Sequence, residues 1–428
     1  MKPDDPRKDE SAVAPTRQAV VYRGHFYSLD VLRGLAALGV IFWHWQHFFY
    51  NGTMAPDLDK SYQPLYILFR PLYLGGWRAV DLFFCLSGFI FFWLYSERIT
   101  QRRISVREFF VLRFSRLYPL QFATLIFIAE GQMLMAKSFG YFFVIPHNDA
   151  YHFVLQLFFA SEWGFQRGLS FNATSWSISI EVMLYVIFFV VCLLRWHRWW
   201  HLVIYVCLGQ ALMYWHLLSW SRGVFSFFMG GLTYRLFLYL WPRGLSRNFI
   251  VGLIFLTTLL WIVIPAGFDH KTFYESYEAS SYRAGLMIAH KDVLGHCLLI
   301  MDPLAFNAIL FPATILTLAL CEAYRGTLGK RVAFVGNMSY SVYLLQFPLQ
   351  MVFSYVVLSL SLPRTVFFSP WVLLSFFAVL VPLSWGSYTY FERPLQDYLR
   401  AKLLKPSLLV PRALESATVV ATKRPSEP

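Results

Sequence analysis

Residues 29–50, LDVLRGLAALGVIFWHWQHFFY, form an apolar run interrupted by Asp30, Arg33, His44 and His47. As a helix, such a run is about long enough to cross the ~30 Å hydrocarbon core of a bilayer. Eleven residues at 100° each bring a helix back to within about 20° of its starting azimuth. Arg33 and His44 therefore share one stripe, roughly 16 Å apart along the axis. Charged and polar groups on one stripe of a membrane span are costly there and mark a ligand path or a reaction site.

Runs of the same character recur along the chain, at about 79–97, 117–136, 173–194, 200–219, 222–241, 248–266, 302–321, 339–360 and 370–391. The expected fold class is all-α, a polytopic integral membrane helical bundle with about ten transmembrane helices. Composition agrees: of 428 residues 57% are hydrophobic and 14% charged, with a mean hydropathy of +0.49. A soluble domain carries about a quarter charged residues. The apolar stretch 151–163 is shorter and reads as an interfacial or re-entrant helix.

The net charge of +13 does not point to nucleic acid, because the basic residues lie between the apolar runs and in the tails. No Lys/Arg-rich block with interleaved aromatics stands apart. With the N-terminus cytoplasmic, 26 of the 37 basic residues fall inside, 10 outside, and Arg33 within the membrane. That bias places both termini in the cytoplasm, with membrane lipids as a partner and no nucleic acid. No small-residue cleavage site follows the first run, which reads as a retained signal anchor. The expected organisation is a disordered tail over 1–28, one transmembrane domain over 29–394, and a largely disordered tail over 395–428. The outside loop 267–301, containing FYESYEASSYRAG, reads as a lid or substrate rim. The five cysteines have no regular spacing, so neither a disulfide framework nor a zinc site is indicated. No internal repeat is visible, which disfavours transporters built on inverted repeats.

Several polar side chains fall inside or at the edges of the runs. Asp30 stands three residues before Arg33 and can pair with it on one helix face. His44 is suited to proton transfer near pH 7. His47 follows three residues later, but no carboxylate or third histidine stands at ligand spacing, so no metal is expected. Asp81 opens the second span, and Ser87–Gly88 reads as a packing notch. Six arginines occupy 98–116, and Arg113 and Arg116 stand where the third span begins. The loop as a whole reads as headgroup anchoring, whereas these two are placed to meet phosphate. Glu181 lies within the fourth span and needs a cation, a donor or a proton there, with Arg33, His44 or a ligand as its partner.

Taken together, R-x(10)-H (Arg33, His44), VDLFFCLSGF (80–89), RFSRLYP (113–119), WSISIEVMLY (176–185), GNMSYSVYLLQFP (336–348) and YFERP (390–394) resemble the membrane-bound acyltransferase family 3, which contains polysaccharide and antibiotic O-acyltransferases. The motifs occur in the family's order. The resemblance implies transfer of an acyl group, commonly acetyl, from cytoplasmic acyl-CoA to a hydroxyl of a glycan or small molecule. Acyl-CoA, with acetyl-CoA expected, is then a donor substrate, and no bound cofactor is expected. The acceptor would be a glycan or lipid-linked saccharide. Carried over by position, His44 and Arg33 are the central catalytic pair, with Glu181 and Asp81 beside them. Arg113 and Arg116 bind the donor, and Trp176, Ser177, Tyr185, Tyr340 and Gln346 line the substrate. Gln346 departs from the family's common histidine at that position. No hydrolase-like domain follows residue 394, so a separate periplasmic partner would handle the acceptor. The implied location is a bacterial cytoplasmic (inner) membrane. A transporter or flippase for a lipid-linked glycan is the rival reading.

Overall fold

The computed structural model describes residues 24–55, 58–214, 220–268 and 301–404. The expected N-terminal tail, most of the 267–301 loop, Cys297 and the chain beyond 404 lie outside the described residues. Within them the fold is helical, with isolated bridges at Asn51–Met54 and His147–Ser170 and no strand. Among the described residues, eight helical segments are long and apolar enough to cross a membrane. Two of the ten expected spans fall outside that set. Helix α1 (Tyr27–His44) carries Asp30, Arg33 and His44, which lower its hydropathy, although it is buried along Ala36, Ala37, Val40 and Ile41. The Trp199–Tyr214 helix is described for only 16 residues.

Boundaries differ from expectation where local chemistry extends a helix. Residues 66–75 form an unexpected helix, α2 (Tyr66–Gly75), ahead of α3 (Ala79–Phe91). The next long helix runs Val106–Phe139, so Arg107, Arg113 and Arg116 lie on a helix and not in a loop. Its start is fixed by a capping box: Ser105 Oγ accepts from the Glu108 N–H at 3.2 Å, and Glu108 accepts from the Ser105 N–H at 2.8 Å. At the other end of the chain, Pro370–Gly386 continues through Ser387–Glu392 into Arg393–Leu403, past the expected boundary at 394. Three stretches among the described residues are π-helical: Phe92–Ser96, Leu304–Leu310 and Ser387–Glu392. The 151–163 stretch holds a short helix, Ala150–Leu157, in which Gln156 bonds Gln121 of the long helix.

Four helices frame the polar interior. They are α1, α3, Ser175–Leu193 and Ser221–Leu240. Asp81 meets Arg222, Ser87 meets Glu181, and Phe91 stacks on Tyr185 at 4.7 Å, so the last three run parallel. Helix α1 runs against them: its preceding Phe26 packs on Phe89 and Phe237, while its Gly39 reaches Gly76. The alternation matches that required by the charge distribution.

Glycines let these backbones touch. A Cβ on Gly88 would lie 1.9 Å from the Phe227 carbonyl oxygen, and one on Gly230 would lie 2.0 Å from that of Cys85. Small residues at such crossings supply the close packing that lipid does not drive. The expected notch is thus real at Gly88. Gly230→Ala is expected to destabilise by about 1–3 kcal/mol or more, since backbone and not a side chain must yield. Thermal unfolding in detergent measures it, and an unchanged melting temperature would contradict this packing.

The start of α1 is held from afar. Glu322, fully buried, accepts from the Tyr27 and Ser28 N–H groups at 3.0 and 2.8 Å, from Ser28 Oγ at 2.7 Å, and from the Leu328 N–H at 3.2 Å. The residue before the helix, Phe26, offers no side-chain cap. The carboxylate therefore satisfies the first-turn donors and complements the helix dipole.

Candidate active site

Helix α1 presents its polar residues at two levels. Near its start, Asp30 accepts from Arg33 at 3.2 Å and meets His25 at 2.6 Å, so the expected Asp30–Arg33 pair forms. Arg33 also lies in the field of Arg116, Glu181 and Tyr185.

The Ser175–Leu193 helix carries Ser177, Glu181 and Tyr185 four residues apart, which places them on one face. Glu181 accepts from Tyr185 OH at 2.6 Å and from Ser87 Oγ at 3.2 Å. Ser87 thus belongs to the polar interior as well as to the packing notch. Ser177 bonds Tyr343 OH at 2.6 Å, and Tyr340 OH donates to the Leu117 carbonyl at 2.6 Å. Both tyrosines come from the Ser339–Ser359 helix.

The two arginines of RFSRLYP diverge. Arg113 bonds Tyr95 OH and lies over the rings of Phe91 and Tyr95, with its guanidinium carbon 4.6 and 4.5 Å from their centroids. Arg116 lies in the field of Arg33, Tyr340 and Glu392. Arg116 enters no hydrogen bond or ion pair among the described residues. Glu392 accepts from Ser341 and Ser387 at 2.6 and 2.7 Å. Glu392 belongs to YFERP, and its partners, 51 residues away and five residues away, are not visible in that spacing.

His44 lies at the far end of α1, near neither Glu181 nor Asp81 in any hydrogen bond. Its neighbours are His47, stacked at 4.8 Å, and the Gln346 amide. Among the described residues, His44 Nδ1 and Gln346 Oε1 are both buried without a hydrogen-bond partner. Orientation of His44 by a carboxylate is therefore replaced by a glutamine environment.

Asp81 and Trp176 join a separate cluster. Asp81 is held by Arg222 through two bonds, 3.1 and 2.8 Å. The Arg222 guanidinium lies 5.1 Å from the Trp77 ring and 5.5 Å from Trp176. Beside it Arg78 bonds Asp302 at 2.8 Å. Arg78 and Arg222 were counted only as outside charge in the sequence, because their partners lie more than a hundred residues away.

One further group was missed. His147, Asp149 and His152 bring ligand-type atoms within 4.8 Å of one another. Hydrogen bonds already use Asp149 and His152, and His147 stacks on the His152 ring at 4.9 Å. The His152 backbone N–H and its Nδ1 both meet Asp149 at 2.9 Å, and its Nε2 accepts from the Arg167 N–H at 3.2 Å. These bonds hold the Asp149 carboxyl below its ordinary range. A metal on Nδ1 would put the ring proton on Nε2, against the Arg167 N–H, so the group reads as a loop clamp.

The four described cysteines, Cys85, Cys192, Cys207 and Cys321, are free.

Known proteins resemble this chain over most of its length. The acyltransferase domain of family 3 matches residues 26–389. A protein of Rhizobium radiobacter, "Protein 2 in picA locus", is 35% identical over 104 residues, 24% of this chain and 44% of that protein. The matched stretch thus spans less than half of that relative's length. No solved structure matches the chain. With the domain match covering Arg33 through Gln346 and beyond, the chain belongs to the acyltransferase 3 family, as a helical integral membrane protein.

Proposed function

We propose that the protein moves an acyl group, acetyl in the first instance, from acyl-CoA to a hydroxyl of a cell-surface or exported glycan. The observation that carries this reading is that Arg33, near the start of α1, lies in the field of Arg116 from the Val106–Phe139 helix, while His44 stands at the other end of α1. Arg116 lies in the field of Arg33 and enters no hydrogen bond or ion pair among the described residues, so it can take an anion, and a phosphate of CoA suits its planar fork. Arg113 is engaged by Tyr95, which leaves Arg116 as the principal grip. The pantetheine arm then reaches along the stripe toward His44, which serves as base or acyl carrier. Arg33 steadies the donor or the negative charge that develops on it.

The excess of basic residues on the Arg33 side supports a cytoplasmic Arg33 end with both termini on that side, in what we take to be a bacterial inner membrane. Acceptor delivery on the other side falls to a separate periplasmic protein. Mass spectrometry of surface glycan from wild-type, deletion and His44→Ala strains tests the reading. An acyl-sized mass loss in both mutants supports it. Unchanged glycan mass with glycan accumulating in the inner leaflet overturns it in favour of transport.

A further inference from the structure

At His44 the first helix changes geometry. Trp45–Phe49 is a 3-10 turn, in which side chains three residues apart eclipse one another and rise by about 6 Å. His44 and His47 consequently form one column, their rings stacked at 4.8 Å and 21°. Beside it the Ser339–Ser359 helix carries Gln346 and Gln350, four residues apart on one face and also about 6 Å apart along the axis. The two steps match, so each glutamine meets one histidine.

The Gln350–His47 pair shows how such a contact is made. Gln350 Nε2 donates to the His44 carbonyl at 3.0 Å, and a carbonyl can only accept, so the amide cannot be turned over. Its Oε1 lies 3.2 Å from His47 Nδ1 and accepts the proton there, which leaves the His47 lone pair on Nε2. Gln346 is pinned in the same sense. Its Nε2 donates to the Tyr343 carbonyl at 3.3 Å, and its Oε1 is buried with no partner among the described residues. This amide is the group whose hydrogen bonding bears on His44. His44 Nδ1 is also buried without a partner, while the residue as a whole is half-buried and Nε2 is its accessible nitrogen.

A base must act through the nitrogen that a substrate can reach, with its lone pair there and its proton on the other. For His44 that puts the proton on the buried Nδ1, where it needs an acceptor. Gln346 Oε1 is an acceptor that lacks a donor. We infer that Gln346 is the positioning residue of His44: its Oε1 holds the proton on Nδ1 and keeps the lone pair on Nε2, the atom that reacts. This rests on the acyl-transfer reading above. The bond draws tight as substrates load, as catalytic hydrogen bonds commonly do. In the transfer the acceptor oxygen bonds to the acyl carbon as its proton passes to His44 Nε2, and the carbon–sulfur bond breaks with its electron pair going to sulfur. That proton then moves from Nε2 to the sulfur, so CoA leaves as a thiol and His44 returns to neutral. Gln346 exchanges no proton. A neutral histidine also offers a donor and an acceptor, so glutamine can stand where the family commonly has histidine.

Gln346→Leu removes both contacts of the amide, and Gln346→His restores a donor and an acceptor. Nitrogen NMR of histidine-labelled protein in detergent with acetyl-CoA, with His44→Ala identifying the signal, reads the tautomer without any turnover. A protonated Nδ1 and a bare Nε2 are expected in wild type and in Gln346→His, and a mixture in Gln346→Leu. Acyl content of the surface glycan should fall about ten- to a hundred-fold in Gln346→Leu, the weight of one buried hydrogen bond, and return to within about three-fold of wild type in Gln346→His, with acetyl-CoA affinity of the purified protein within about two-fold throughout. A proton on Nε2 in wild type overturns the proposal, and so does wild-type acylation by Gln346→Leu. A loss of acetyl-CoA affinity that accounts for the fall in acylation also overturns it, since Gln346 would then be a donor contact. Should Gln346→Leu fail to accumulate in the membrane, the wild-type tautomer decides alone. Absence of acyl groups on the wild-type glycan would remove the acyl-transfer reading itself, a result separate from the tautomer.

Discussion

His44→Ala is expected to lower acyl transfer by about 10²–10⁴-fold, the range in which a positioned acid–base group contributes. The fold should survive the change. Nδ1 of His44 has no hydrogen-bond partner among the described residues, and its ring contacts are the His47 stack and the Gln346 amide. Little internal bonding is therefore lost, and the melting temperature should stay close to wild type. Thiol release from acetyl-CoA in the presence of the native acceptor measures the effect. Retained turnover would show that the R-x(10)-H histidine is not the reacting group. Arg33→Ala should behave differently, raising the acetyl-CoA requirement and also loosening His25 and Asp30, which it holds in one network.

Glu322→Ala should be the most damaging single change to the fold outside the glycine crossings. It strips acceptors from three backbone N–H groups and the Ser28 hydroxyl at once. Each buried donor left unmade costs about 1–3 kcal/mol, and removing one partner of a buried charged network about 3–5 kcal/mol. A loss of that size is a large share of the stability of most folds. Glu322→Gln should recover only part, because its amide group would point a donor at other donors. Thermal unfolding in detergent, with protein level in the membrane as a second readout, checks both variants. Glu322→Ala melting with wild type would mean that water caps α1 equally well.

Much of this was legible in the chain because it depends on local periodicity. Apolar runs of bilayer length gave the helical bundle, and the four-residue spacing of Ser177, Glu181 and Tyr185 is also a local pattern from which their shared face can be read. The Asp30–Arg33 pair followed from three-residue spacing. What was not legible depends on distant partners or on a change of helix type. Arg222 is paired with Asp81 across 141 residues, and Glu322 caps a helix 295 residues away. The early start of the Arg113–Arg116 helix was readable, since Ser105 and Glu108 have the spacing of a capping box. The column of His44 and His47 was not, because a 100° rotation per residue does not describe a 3-10 turn.

The three π-helical stretches bear on which changes of chain length the protein can accept. Each stands beside a charged group of the interior: Tyr95 holds Arg113, Phe306 lies 4.2 Å from the Arg78 guanidinium, and Glu392 lies in the field of Arg116. A π turn accommodates one residue more than the α-helix around it. Deleting a single residue there would let the helix close into ordinary α geometry and rotate everything beyond it by about 100°. Side chains in these stretches can be exchanged, whereas their residue count cannot. Relatives that keep the same interior charges should therefore align through all three without a gap, even where their sequences have diverged.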